Sequence, residues 1–346
     1  MFIRAFQAAA FMACTALTAF GQSSEATPNT TANTPALQDA ALALNPAQVA
    51  NCSLCSGLVS STGNLYFTSS TFNDLGPDSA SFYRTGKTSL PGSEGLLYSE
   101  VGDRPGPYSF GSVVWAKPDT FYGYFVANYS DFGFRTSQIK RVPLAGGGAV
   151  ILATSPAFIG SRDLLTDGSR LFWVDAGGIR SMSIFGGAVQ TLLTSSTVSR
   201  ISLDPNFVYY AEGNRISRVA KAGGAPTSLI ITPNIVTALY ADLRPSLTYL
   251  FWGEKGGAVR SAAPGFSAWT WQYPQAGRDV TSVGFDGTNA LWIDCTQPGN
   301  SYCSVRVANN IGTVTLPNGG VGARNLQWDA RNVFWINLSN VMRYSH

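Results

Sequence analysis

Residues 167–182 read DGSRLFWVDAGGIRSM: a turn, an apolar run closing on an acid, a glycine pair and a second short run. Variants recur as DPNFVYYAEGNRISRV from Asp204, DGTNALWIDC from Asp286 and DARNVFWINLSNVMRY from Asp329. Aligned on the apolar run, the chain holds seven copies: Leu65-Tyr66-Phe67, Gly123-Tyr124-Phe125, Leu171-Phe172-Trp173, Val208-Tyr209-Tyr210, Leu250-Phe251-Trp252, Ala290-Leu291-Trp292 and Val333-Phe334-Trp335. In the last five, two residues past the run comes Asp175, Glu212, Glu254, Asp294 or Asn337. A period of about 40 residues built from short strands is the signature of a β-propeller, here with seven blades, six being the alternative.

Each unit reads as four antiparallel strands, so the fold class is all-β. The first strand ends in a turn such as Asp167-Gly168 or Asp286-Gly287, where Asp bonds its own backbone and Gly takes the positive-φ position. The second strand is the aromatic run, apolar on both faces as a blade between two others requires. The third carries a β-branched residue followed by Arg or Lys, as in Ile179-Arg180, Val259-Arg260 and Val305-Arg306. A Gly-Gly turn (Gly146-Gly147, Gly186-Gly187, Gly223-Gly224) leads to a short alternating fourth strand. The last copy reaches His346 without a fourth strand. A bare strand edge aggregates, so the stretch around Pro46 to Cys52 is expected to supply the missing strand and close the ring.

Only 12% of the 346 residues are charged, against roughly 25% in an average soluble domain, and strands with tight turns need few charged helix faces. The net charge of +3 is dispersed, and the absence of a basic block argues against nucleic acid or an anionic membrane as partner. The expected state is a monomer. Met1 to Arg4, the apolar stretch from Phe6 to Phe20 and the small residues around Ala19 and Gly21 predict a signal peptide over residues 1–21, hence a secreted or periplasmic protein. The alternative is a lipoprotein anchored through Cys14. Residues 22–48, rich in Ser, Thr, Asn, Pro and Ala, read as a flexible linker before a propeller domain over 49–346. Four cysteines remain after the signal, and of their three pairings the spacing favours Cys52–Cys55 and Cys295–Cys303 as structural disulfides.

Trp173-Val174-Asp175 and Trp292-Ile293-Asp294, with the pattern that follows them, resemble the YWTD repeats of low-density lipoprotein receptor propellers. Ile139-Lys140-Arg141-Val142-Pro143-Leu144-Ala145-Gly146-Gly147 is similar to the repeat unit of a group of secreted bacterial propellers. The resemblance covers about residues 57–346 and implies the fold; it implies little about activity. Receptor rings of this type have six blades, and seven units stand here.

The one histidine, His346, is terminal, which removes Ser-His-Asp, Cys-His and His-metal chemistry. Glycine-rich phosphate loops opening a helix are absent. Asp175, Glu212, Glu254 and Asp294 recur at one place in successive units, and the third-strand arginines recur likewise; a catalytic group is needed once, so the repetition marks structure. Departures from the repeat are the better leads. Three loops of the first two units are enlarged: residues 69–80 with Phe72, Asp74 and Asp78, residues 101–110 with Asp103, Arg104 and Tyr108, and residues 129–136 with Tyr129, Asp131, Phe132, Phe134 and Arg135. Aromatics beside carboxylates suit a glycan or peptide. No cofactor is expected; Asn73-Asp74 with Asp78 offers oxygens to calcium at a spacing that matches no strong motif. Ala268-Trp269-Thr270-Trp271-Gln272-Tyr273 alternates aromatics on a fourth strand, as core packing or as an exposed stacking stripe. The expectation is a secreted, non-enzymatic scaffold binding a protein or glycan through its loop face. The alternative is a hydrolase with a pair of carboxylates at the mouth of the central channel.

Overall fold

The computed structural model describes residues 46–345, except 72–77, 102–107, 116–120, 132–133, 157–158, 160–163, 245–246, 298–301, 310, 317–318 and 338, with the backbone alone at 108–115, 130–131 and 134–135. The described residues form seven four-stranded antiparallel sheets and no helix. A first strand, β1 (Ala47–Asn51), precedes blade 1, which is β2 (Cys55–Ser60), β3 (Asn64–Thr71), β4 (Ser79–Gly86) and β5 (Gly95–Val101). Blade 2 is β6 (Tyr108–Trp115), β7 (Tyr122–Asp131), β8 (Phe134–Pro143) and β9 (Val150–Ser155). Blade 3 is β10 (Leu164–Thr166), β11 (Arg170–Asp175), β12 (Gly178–Ser183) and β13 (Gln190–Thr194). Blade 4 is β14 (Val198–Leu203), β15 (Phe207–Glu212), β16 (Arg215–Ala220) and β17 (Thr227–Ile231). Blade 5 is β18 (Val236–Arg244), β19 (Leu247–Glu254), β20 (Val259–Ala262) and β21 (Trp269–Gln272). Blade 6 is β22 (Arg278–Phe285), β23 (Ala290–Thr296), β24 (Cys303–Ala308) and β25 (Thr313–Leu316), and blade 7 is β26 (Arg324–Trp328), β27 (Asn332–Asn337) and β28 (Asn340–Ser345). Neighbouring blades touch all the way round, β11 of blade 3 meeting β14 of blade 4 and β26 of blade 7 meeting β2 of blade 1. The ring is therefore closed, and it has seven blades.

The closure is the expected one. β1 pairs antiparallel with β28, from Ala47 opposite Arg343 to Asn51 opposite Asn340, and supplies the fourth strand of blade 7. Pairing starts at Ala47, two residues before the boundary read from composition. Cys52 and Cys55 lie at disulfide distance where β1 hands over to β2, with Cα atoms 5.7 Å apart. Cys295 and Cys303 stand directly opposite in β23 and β24, their Cα atoms 4.0 Å apart, and are also at disulfide distance.

Successive strand residues point to opposite faces, and the aromatic runs use this to fill the spaces between blades. In blade 3 the outer two residues, Leu171 and Trp173, pack backward with Tyr124 and Ile139 of blade 2, while Phe172 packs forward with Val208 and Tyr210 of blade 4. Blade 5 repeats this: Leu250 and Trp252 pack on Tyr209 of blade 4, and Phe251 on Trp292 of blade 6. At the closing junction, Phe334 packs forward against Leu65 and Phe67 of blade 1. A run of three apolar residues thus serves both neighbours, two side chains facing one blade and one facing the other.

The turn carboxylates work as read. Asp167 Oδ1 accepts from the Ser169 and Arg170 amides, and Asp204 and Asp329 repeat the arrangement. Their second oxygens reach the next blade: Asp167 to Lys221 at 2.9 Å, Asp204 to the Thr248 hydroxyl at 2.9 Å, Asp329 to Lys87 at 2.5 Å. Burial opposes ionisation at each, yet these hydrogen bonds outweigh it and hold all three carboxyls below the ordinary aspartate range. Three of the recurring acids past the aromatic run pair with third-strand arginines of their own sheet, in Arg180–Asp175, Arg260–Glu254 and Arg306–Asp294, while Glu212 accepts from the Ser195 and Thr197 hydroxyls.

Candidate functional site

In a propeller, loops joining second to third strands and fourth to first strands share one face. On that face blades 1 and 2 stand taller than blades 3, 4, 5 and 7, while blade 6 continues to Cys295 opposite Cys303. In blade 3 the ladder between second and third strands ends at Asp175 opposite Gly178, two residues past Trp173, and blades 4 and 7 end equally early, at Glu212 and Asn337. In blade 1 it continues to Thr71 opposite Ser79, and in blade 2 to Asp131 opposite Phe134. At about 3.3 Å per residue, the blade 2 hairpin rises roughly 13 Å further than that of blade 3. The segment 129–136 is thus mostly paired strand rather than the loop expected from sequence.

Of the candidate rim residues, Asp78 is described and buried at the base of the blade 1 connection. Tyr129 is half-buried at the root of the blade 2 hairpin. Its hydroxyl lies 3.1 Å from both Glu100 Oε1 and Gln138 Oε1, donating to one, and accepts from Lys140 Nζ at 2.9 Å. Lys140, itself buried, also pairs with Glu100 at 2.5 Å, and the Tyr98 hydroxyl donates to Glu100 at 2.8 Å. Burial, and then the Glu100 carboxylate, push the Tyr98 phenol above its ordinary value. This network joins the fourth strand of blade 1 to blade 2, so it braces the tall sector from below. Tyr108, Asp131, Phe134 and Arg135 lie on strand ends at that rim, with their side chains outside the described atoms. Phe72, Asp74, Asp103, Arg104 and Phe132 lie outside the described residues.

The inner strands enclose a central cavity of about 510 Å³. Each inner strand ends its sheet, so one backbone edge is unpaired on that side. The described lining combines apolar side chains such as Leu58, Leu164 and Leu239 with Ser202, Asn325 and Gln327, and its one charged member is Arg200. The alternative reading needs two carboxylates at the mouth; no Asp or Glu stands among the described lining residues. Tyr240 of blade 5 and Trp328 of blade 7 meet edge to face in this cavity, ring centres 5.0 Å apart. Burial, and then the Asp242 charge, push the Tyr240 phenol up to about 12.

Two recurring features escaped the sequence. The register of the inner strand slips once in most blades, and the residue at the slip is Ser56, Ser199, Thr237 or Thr281. The last three donate their hydroxyl back to a second-strand carbonyl, of Ala211, Gly253 and Ile293. The signal was a Val-Ser or Val-Thr pair at the start of the strand. In the outer strands a second slip turns Leu97, Leu152, Leu192, Leu229 or Trp271 inward. Trp271 therefore packs on Phe251, its indole donating to Ser261 at 2.9 Å, whereas Trp269 and Tyr273 are 65% and 77% exposed. Asn51 and Asn128 each open an Asn-x-Ser triplet of the kind that accepts glycans; Asn128 is buried and accepts from Ser137 at 2.6 Å, which leaves it inaccessible, while Asn51 is exposed.

No helix among the described residues is long and apolar enough to cross a membrane, and no group of three or more His, Cys, Asp or Glu side chains is gathered as a metal site among them. No protein-family model matches the chain, and no curated protein matches it either. The geometry is that of a seven-bladed β-propeller with adjacent tall blades 1 and 2 and a lined central channel.

Proposed function

We propose that the protein is a secreted, non-enzymatic scaffold that holds a protein or glycan partner against the raised sector of blades 1 and 2. One observation carries the reading: the ladders of those blades run on to Thr71 and Asp131 where blades 3, 4 and 7 stop level. A ring needs no such extension to close, and binding residues sit disproportionately on loops raised from a rigid scaffold. The bracing by Glu100, Tyr129 and Lys140 supports it, because a preorganised surface spends less free energy on ordering. Paired cysteines and the signal-like start favour an oxidising destination.

The test is a variant in which residues 129–136 are replaced by a two-residue turn. The full chain and the variant are compared on a glycan array and by surface binding to purified extracellular proteins. Ligands that bind the full chain should lose at least about tenfold in affinity to the variant, with thermal unfolding shifted by no more than a few degrees. Retained affinity in a folded variant would remove the raised sector from the binding surface.

A further inference from the structure

The inner strands carry four arginines that the repeat does not call for; Arg244 and Arg278 pair with Asp242 and Asp294, which leaves Arg200 and Arg324. Arg200 in β14 stands opposite Ala211, and Arg324 in β26 stands opposite Ile336. Both partners lie one residue past an aromatic run, so the two arginines occupy the same level of the ring, in blades 4 and 7 on facing sides. Arg180, Arg260 and Arg306 of the third strands each find an acid. Among the described residues, Arg200 and Arg324 find none. Arg200 gives its Nε to the Thr237 carbonyl at 2.8 Å and an Nη to the Ser199 carbonyl, which fixes the plane of its guanidinium. Arg324 gives an Nη to the Cys55 carbonyl, and its Nε is buried without a partner.

Arg200 lines the central cavity, and so does Asn325, the neighbour of Arg324. A volume of about 510 Å³ lies within the usual range for small-molecule pockets, roughly 300–1,000 Å³. The walls are mostly apolar, with few polar groups, as such pockets are. The Tyr240–Trp328 pair adds an aromatic surface. It exists because residue 284 is glycine: a Cβ there would overlap the Trp328 ring, which crosses blade 6 to reach blade 5.

We propose that the channel is a binding site for a small organic anion, a carboxylate carried on an apolar or aromatic body. Arg200 holds the carboxylate, the amides of Asn325 and Gln327 donate to it, and Tyr240 and Trp328 meet the body. A guanidinium already oriented by backbone carbonyls, in a partly desolvated cavity without an acid of its own, gains most from a charge-assisted hydrogen bond. This site is separate from the raised rim and stands without it.

The test is calorimetric titration of the full chain with 3-phenylpropionate and with its neutral amide, at low and at raised sodium chloride. The acid should saturate at millimolar concentrations or below, bind at least about tenfold tighter than the amide, and weaken with salt. Arg200→Gln should weaken the acid by about tenfold or more without affecting the amide, and Arg200→Lys should restore part of the loss. Arg200 also ties blade 4 to blade 5, so Arg324→Gln serves as a second variant, with a smaller loss expected. Should both variants misfold, the acid–amide difference and its salt dependence in the unaltered chain decide. The proposal is overturned if the acid does not saturate, if the amide binds as tightly, or if a folded Arg200→Gln binds the acid unchanged.

Discussion

Asp294 shows how a recurring residue differs from a singular one. It is fully buried and accepts from Arg306 Nε at 2.7 Å and from Arg278. Removing one member of such a group leaves the others partly desolvated and unpaired. Asp294→Asn should cost about 3 kcal/mol in denaturant unfolding, whereas Asp242→Asn, which breaks the more exposed pair with Arg244, should cost under about 1 kcal/mol. Equal costs would contradict the structural assignment of the repeated acids. The turn aspartates set the acid limit. Asp167, Asp204 and Asp329 titrate lower in the fold than in the unfolded chain, whose aspartates titrate near pH 3.9. The unfolded state therefore takes up protons first on acidification. The stability these groups contribute is complete above about pH 4 and is lost as pH falls through their lowered values. Urea midpoints should drop steeply below about pH 4 in the unaltered protein and less steeply in Asp204→Asn; parallel curves would sink this account.

At the scale of the element, the strands show which features a sequence can announce. The aromatic run was legible because every blade needs both faces filled, and the Asp turns because a short side chain must bond its own backbone. The slips were not. The Val-Ser or Val-Thr pair that marks Ser199 and Thr237 is too short and too common to stand out before the strands are placed, and an alternating outer strand gives no hint that Leu192 or Trp271 is turned inward. The pair of tryptophans in β21 was open between core and stripe, and the slip divides them. Trp271→Ala should cost about 3 kcal/mol in chemical unfolding, and Trp269→Ala no more than about 0.5 kcal/mol. Similar costs would mean that the slip does not sort them. The raised rim was half legible: its place was readable from the enlarged loops of the first two units, but its form as a ladder was not, because loop and hairpin tip share a composition. Arg200 stayed hidden for want of any motif, since the channel forms only when blades far apart in sequence face one another.

For the whole molecule, closure rests on one pairing. Without β1, the edge of β28 would be bare. A chain lacking residues 1–51 should elute as oligomer or aggregate in size-exclusion chromatography and lose at least several degrees in unfolding temperature. A monomer of unchanged stability would show that the seventh sheet stands on three strands. The seven-fold count was legible because the repeat is strong, and the donor of the last strand because only one strand was missing.

That junction also orders events in time. Ala47 is made well before Arg343, yet they are partners. Six sheets can assemble from neighbours in the chain as they emerge, while the seventh must wait until β28 has been made. Until then the early strand has to be kept from other mates, and a product cut short before β28 cannot seal. The wheel thereby withholds its last contact from any chain that lacks its seventh blade.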